Sequence, residues 1–331
     1  MKLSNEKINI ALVGCGRYGM RHLDYLLTRD DVAVTALVST NSEKLTIAGQ
    51  KIPSAGKFNS FEDMIKNQKL SALVIAVQPY AHMGMEKIAA EKGIHLFVEK
   101  PLGLDLTEVK ANADVIRKKG IISAAGYEWR YENGVEEIRN LLSRRKIGII
   151  QGKWMGGTPE IPWWRDRKKS GGQIVEQCTH LVDLMRYFAG NVESVYAIPR
   201  NGCNMPMDNY TIDDGSVTVI RFINGVVAAL STGCFLDNDK VSSDVGFTLY
   251  CRDMIAELKW TRGISYSVGK KSEQLPPIED LRSRPLAAFI EAIKTKNTNL
   301  IKSNYDDAFQ TLKTTLAIEH SIASGQMEMI Q

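Results

Sequence analysis

Over its first third the chain alternates short apolar runs with amphipathic stretches. Ile8 to Val13, Val32 to Val38, Ala72 to Val77, Ile94 to Val98 and Ile121 to Ala125 are brief and rich in Val, Ile, Leu and Ala. Such runs predict strands buried on both faces. The stretches between them carry helix signals. Met20, Leu23, Leu26 and Leu27 share one side of a helical pattern, and Ser60 precedes Asp63 by three as an N-cap should. A helix through Ala90 is stopped by Gly93, and one over Leu106–Lys119 has Thr107 near its start and Gly120 past its end. Strand and helix in strict alternation predict a doubly wound parallel sheet, whose ligands bind beyond the carboxyl ends of the strands.

After Gly126 the pattern changes. Gln173 to Gly190 has a helical period. Strand-like runs follow at Ser194–Ile198, Ser216–Ile223, Val226–Thr232, Val245–Cys251 and Ile255–Lys259. No helical pattern separates them, and Asn224-Gly225 is a two-residue hairpin signal. They predict a mainly antiparallel open sheet with helices on one face. Pro285–Lys294 and Asn304–Ser324 read as closing helices. The expected class is α/β plus α+β, with an N-terminal domain over 1–126 and a second over 127–331, its closing helices free to pack back on the first. A length of 331 residues suits two domains.

Chemistry gathers at the ends of the first strands. Gly14-Cys15-Gly16-Arg17-Tyr18-Gly19 follows one strand and opens a helix. There Gly14 permits a tight turn, Gly16 a close approach by pyrophosphate, and Gly19 close packing of helix on strand, which is the context of a dinucleotide-binding (Rossmann) fingerprint. The second strand ends in Ser39-Thr40-Asn41-Ser42, with no acid before Glu43. Ser39 and Thr40 can donate to a ribose 2′-phosphate and Lys44 can pair with it, so the loop leans to NADP over NAD, although a neutral loop accepts either. Gln78-Pro79 with His82, and Glu99-Lys100-Pro101, lie at the ends of two further strands, and a cis bond before Pro101 would be cheap.

In the second half Glu176, His180, Asp183 and Tyr187 fall at i, i+4, i+7 and i+11. By pattern alone, a pocket-lining helix and an ordinary solvated face fit equally. The Glu176/His180 spacing suits a metal, but no third ligand repeats nearby, so none is expected. Arg130, Trp163 and Arg165 combine aromatic faces with guanidinium donors and are candidates for binding a polyol or acidic sugar; core aromatics read the same way. A formal net charge of +4, spread along the chain, marks neither a nucleic-acid nor a membrane partner. The five cysteines form no CxxC pair, and the N-terminus lacks an apolar signal region, so a cytoplasmic location is expected.

Together these motifs resemble the Gfo/Idh/MocA family of oxidoreductases, which includes glucose–fructose oxidoreductase and inositol dehydrogenase. The resemblance rests on Gly14–Gly19, Pro79 and His82, Glu99-Lys100-Pro101, Gly171-Gly172 followed by Glu176, His180 and Asp183, and the segment with Asp306, Asp307, Ala308 and Gly325. It implies NAD(P)-dependent oxidation or reduction of a secondary alcohol or ketone on a sugar or cyclitol. Lys100 would be the site lysine, His180 the proton-handling residue and Glu176 a further catalytic group. Substrate would meet Lys100, Arg130, Trp163, Arg165, Glu176, His180 and Asp183. The cofactor would meet residues 14–19, Ser39, Thr40, Lys44, Gln78, Pro79, His82, Glu99 and Lys100. A homodimer or homotetramer through the C-terminal sheet is also implied. The family often has Asp in place of Glu176 and a third glycine in place of Gln173. A non-catalytic dinucleotide-binding regulator and an NAD-dependent glycosidase are the alternatives.

Overall fold

The computed structural model describes residues 7–204 and 206–330. They divide into two compact units: one runs to Gly126 and adds Arg282–Phe309, and the other comprises Tyr127–Leu281 and Gln310 onward. The chain thus passes between units after Gly126 and again near Leu281 and Phe309.

In the first unit the strands are β1 (Ile8–Val13), β2 (Val32–Val38), β3 (Gly56–Phe58), β4 (Ala72–Ile75), β5 (His95–Val98) and β6 (Ser123–Ala125). They form one parallel sheet in the order β3-β2-β1-β4-β5-β6. Reversal of strand order beside β1 creates the switch point at which α/β sheets bind ligands. Helices α1 (Arg17–Leu27), α2 (Ser42–Lys51), α3 (Phe61–Asn67), α4 (Met85–Glu91) and α5 (Leu106–Lys119) connect them. Ser60 caps α3 by accepting from the Asp63 N–H at 3.2 Å. Asp105 caps α5, and Gly120 ends it in the left-handed conformation. Two elements of this unit escape the sequence reading: β3, too short at three residues to show a pattern, and α2, whose start reads as a loop.

The second unit holds β7 (Ile147–Met155), β8 (Val192–Arg200), β9 (Gly215–Phe222), β10 (Val227–Gly233), β11 (Asp244–Cys251), β12 (Met254–Lys259), β13 (Gly263–Val268), β14 (Lys271–Leu275) and β15 (Glu328–Met329). Their order is β14-β13-β12-β11-β7-β10-β9-β8-β15, antiparallel throughout except that β10 runs parallel to β7. The unpredicted β7 lies inside this sheet. Gly148 and Gly152 hide its strand signal, yet a Cβ on Gly152 would lie 2.3 Å from Met185 Cε, so the glycine admits a helix side chain to the sheet. The turn at Asn224-Gly225 also differs from expectation. Phe222 N–H bonds to the Val226 carbonyl, closing a three-residue loop with Gly225 at φ +87°.

Helices α6 (Val135–Leu142), α7 (Arg167–Ser170), α8 (Gln173–Glu176) and α9 (Thr179–Ala189) belong to this unit. The predicted single helix over 173–190 is therefore two. The Gln173 carbonyl accepts from both Gln177 and Cys178 N–H, at 2.9 and 3.0 Å, and this widened turn breaks the ladder. Leu181, Leu184 and Met185 of α9 pack with Ile150, Leu230 and Phe247 of the sheet. The other sheet face is open among the described residues, with Ile149, Tyr196, Ile198, Val217, Val219 and Val227 exposed on it. Two helices close the chain. α10 (Arg284–Thr295) adds Leu286, Phe289 and Ile290 to the first unit's core, with Phe289 6.0 Å from Phe97. α11 (Tyr305–Ser324) brings Ile318 to the core of the second.

Candidate functional site

The glycine turn of the first unit has the shape its sequence requires. Gly14 stands at φ +99°, and a Cβ there would meet the Ala76 carbonyl oxygen at 2.3 Å. At Gly19 a Cβ would fall 1.7 Å from the Gly14 carbonyl oxygen, whereas at Gly16 it would meet nothing within 4 Å. Two glycines are thus needed by the fold, and the third keeps a space clear in front of α1. Gly16 caps α1 without a side-chain bond, so the cap residue itself does not cover the helix N-terminus, an end that favours an anionic ligand. The residues fit a dinucleotide pyrophosphate. Cys15 is buried, its thiol pushed up to about 11 by desolvation, and is no nucleophile. Arg17 is exposed, and Tyr18 lies under the Arg21 guanidinium at 5.7 Å.

At the end of β2 the Ser39 hydroxyl accepts from Asn41 N–H at 3.2 Å, and Asn59 donates to the Ser39 carbonyl at 3.1 Å. Thr40 and Lys44 are exposed just beyond. Gln78 begins a single 3-10 turn, Pro79–Ala81, and its own carbonyl accepts from Ala81. Pro79 is buried in that turn, and His82 follows it with Nδ1 2.5 Å from buried Glu86. Glu99 is engaged by His22 Nε2 at 2.6 Å and accepts from the Lys100 N–H at 3.2 Å. Gly126 makes room for it, since a Cβ there would meet the Glu99 carboxylate at 2.6 Å. Glu99 therefore fixes the backbone from which half-buried Lys100 projects. The Lys100–Pro101 peptide is cis.

In the second unit, the segment from Tyr127 to Tyr131 lies along the start of α9, tied to it at successive points. The Tyr127 hydroxyl meets Thr179 Oγ1 at 2.9 Å. Trp129 stacks on the His180 ring at 5.4 Å and 18°. Arg130 grips Asp183 bidentately, Nε to Oδ2 at 2.7 Å and Nη2 to Oδ1 at 2.6 Å. Thr311 also donates to Asp183, and Arg186 donates to Thr311. Arg130 and Asp183, both expected from the sequence at a substrate, are thus buried and bonded to each other. The Arg130 guanidinium also lies over the Tyr187 ring at 4.6 Å.

Glu176, at the end of α8, accepts from the indole N–H of Trp164 at 2.7 Å. Trp164 is held in turn in a small cluster with Ile212 and Cys234, against which Trp163 and Tyr210 pack. Arg165 is half-buried, and its carbonyl accepts from Thr211 N–H at 3.0 Å. Behind the Gly171-Gly172 entry, Arg167 binds both Glu319 and Asp213. Burial pushes the Glu319 carboxyl up to about 8, and the competing carboxylate of Asp213 adds to the push against Arg167. Gly172 faces this acid, and a Cβ there would lie 2.6 Å from Glu319 Oε1.

Sequence reasoning missed Glu128, Trp164 and Glu319. Glu128 is buried, with Oε2 3.5 Å from His180 Nδ1. Its one signal is an acid set among bulky aromatics in Tyr127-Glu128-Trp129-Arg130-Tyr131. Among the described residues no cluster of three or more His, Cys, Asp or Glu has the makings of a metal site. No described helix is long and apolar enough to cross a membrane.

Residues 8–127 match a family model described as the oxidoreductase family with an NAD-binding Rossmann fold, and residues 135–256 match the GFO/IDH/MocA C-terminal domain. The chain is 24% identical to the uncharacterized oxidoreductase YrbE of Bacillus subtilis, over 98% of this chain and 97% of that protein. It is 29% identical to the scyllo-inositol 2-dehydrogenase (NAD(+)) of the same organism, over 66% of this chain and 65% of that protein. Among solved structures, a levoglucosan dehydrogenase in complex with NADH and L-sorbose superposes with a TM-score of 0.85 at 18% identity, covering 98% of this chain and 99% of the other.

Proposed function

We propose, because the chain belongs to the GFO/IDH/MocA family of NAD(P)-binding oxidoreductases, that it moves a hydride reversibly between a nicotinamide and a secondary alcohol or ketone of a sugar, cyclitol or related polyol. The observation that carries this reading is buried His180, stacked on Trp129 in the first turn of α9, with Glu176 just before it at the end of α8. An imidazole held in one plane suits proton exchange with a hydroxyl. The names of relatives, scyllo-inositol 2-dehydrogenase and levoglucosan dehydrogenase, support cyclitols and sugars as the substrate class.

A bound dinucleotide would supply the hydride-accepting nicotinamide carbon. Residues 14–19 would hold its pyrophosphate, and Gln78, Pro79 and His82 would flank it. His180 is assigned to take the hydroxyl proton in oxidation, Lys100 to steady negative charge as it develops on the substrate, and Glu176 to orient the substrate. Trp163 and Arg165 are assigned to further substrate contact. The exposed Thr40 and Lys44, with no carboxylate at the end of β2, favour NADP over NAD.

The test is a screen of inositols, sugars, sugar acids and their keto forms with NADP and NAD, followed by nicotinamide absorbance. Turnover of a polyol or its ketone is expected, faster with NADP. Tight dinucleotide binding with no turnover across the panel would instead mark a regulatory protein, and release of a leaving group without net reduction a glycosidase. The open sheet face fits a second copy of this chain, since Ile149, Tyr196, Ile198, Val217, Val219 and Val227 form a contiguous exposed apolar patch of the kind that marks protein interfaces. Light scattering should report a dimer or tetramer; a monomer would refute that assembly.

A further inference from the structure

We propose that Glu128 is the positioning residue of His180: it holds the imidazole by Nδ1 and balances the charge the ring acquires when Nε2 takes a proton. Glu128 is 6% exposed and His180 5%, with Nδ1 and Oε2 3.5 Å apart. That is ion-pair distance, and catalytic contacts of this kind commonly tighten when substrate binds.

Two constraints leave the ring little freedom. Trp129 stacks against its face, and the Tyr127 ring meets it edge-on at 6.1 Å and 82°. Both residues flank Glu128, so one short turn supplies the platform, the edge and the acid. The turn itself is anchored at both ends, by Tyr127 to Thr179 and by Arg130 to Asp183. Other ionisable groups surround the pair. Burial raises the Tyr127 phenol and keeps it neutral, with the Asp183 charge adding to that effect. Arg130 and Asp183 offset each other in a bidentate pair, and Arg186 donates through Thr311. A carboxylate buried this deeply is costly unless a partner meets it, and the imidazole is in place to do so.

The consequence is a fixed tautomer. At 3.5 Å the contact is longer than a formed hydrogen bond; once it tightens, Nδ1–H points at Glu128 and Nε2 is the basic nitrogen. In oxidation the substrate hydroxyl proton passes to Nε2. A bound oxidised nicotinamide would accept the carbinol hydrogen with its electron pair, which would leave the carbon–oxygen bond a carbonyl. The Nδ1 proton stays on the ring, and the imidazolium is stabilised by Glu128. The catalytic part of this role rests on the dehydrogenase reading above; the orientation of the ring does not.

The experiment has two arms. In the first, nitrogen-15 histidine spectra of the full chain are recorded against pH, with His180→Gln to assign the resonance and Glu128→Gln as the test. Wild type is expected to hold its proton on Nδ1, and Glu128→Gln to lower the His180 titration midpoint by about one pH unit through loss of the anion. An unchanged tautomer and midpoint overturn the proposal. In the second, Glu128→Gln is expected to lower kcat about 10- to 100-fold with KM nearly constant, and to move the acidic limb of kcat/KM to lower pH. A fall in kcat with that limb unmoved also overturns it. Glu128→Asp, which keeps the charge, should restore the wild-type limb; if Glu128→Gln does not fold, a wild-type His180 that carries its neutral-form proton on Nε2 overturns the proposal. If wild type oxidises nothing, the dehydrogenase reading fails while the spectra still decide on Glu128.

Discussion

In the first unit the chemistry-bearing side chains stand at the carboxyl ends of parallel strands, where the backbone itself delivers them. In the second they stand at the start of a helix packed on a sheet, where other side chains hold them in place. Lys100 illustrates the first case. It follows β5 directly, and the acid beside it is engaged by His22 at 2.6 Å. His180 illustrates the second, with Trp129, Tyr127 and Glu128 all supplied by a separate turn. The contrast teaches that a residue at a strand end can be assigned from its own segment, whereas one on a buried helix acquires its role from partners far away in sequence.

The largest expected effect tests the strand-end half of this comparison. Lys100→Met removes the amine but none of the glycine cradle, so kcat should fall by roughly 10³-fold or more. Dinucleotide affinity, followed by fluorescence titration, should stay within about threefold. Equal loss of both would mean that Lys100 serves the cofactor and not the reaction.

Next in size is the buried pair of the second unit. Asp183→Ala leaves the Arg130 guanidinium without its bidentate partner and should cost about 3–5 kcal/mol in urea unfolding. Replacing both, as Arg130→Met with Asp183→Leu, should recover most of that. If the single variant is stable and only KM for the polyol rises, Asp183 is a substrate ligand after all.

A pH dependence, seen only as the solution is titrated, is the subtlest of the three. Glu319 sits at about 8 in the fold against 4.5 for an ordinary glutamate. An acid raised by folding keeps its proton longer in the native state than in the unfolded one. Stability is therefore greatest below the unfolded value and declines as pH rises from about 4.5 to about 8. The slope is at most about 1.4 kcal/mol per pH unit. Glu319→Gln should flatten the change in urea midpoint between pH 5 and pH 8; a variant as pH-dependent as wild type would place the proton elsewhere.

The sequence disclosed most where local chemistry decides the outcome. The glycine cradle, the Ser60 cap and Gly120 are each dictated within a few residues, and they appear as read. It disclosed least where a distant partner decides. Nothing near Arg130 says that its guanidinium lies against Asp183, or that Gly172 is small because Glu319 lies behind it. The strand β7 was hidden for a related reason, since its Gly152 answers to Met185 and Leu230 and not to strand propensity. The helix over 173–190 kept its period in the sequence, but the widened turn at Gln177–Cys178 separates Glu176 from the helix that carries His180.

The late return of α10 to the first unit has a consequence for synthesis. Leu286, Phe289 and Ile290 complete a core begun by Ile8, Ile10 and Phe97. A ribosome that has finished the nucleotide-binding sequence has therefore not yet made part of its interior. That half must wait, incompletely filled, while more than 150 further residues emerge, and a nascent chain stalled before Arg282 would leave Phe97 without the ring of Phe289.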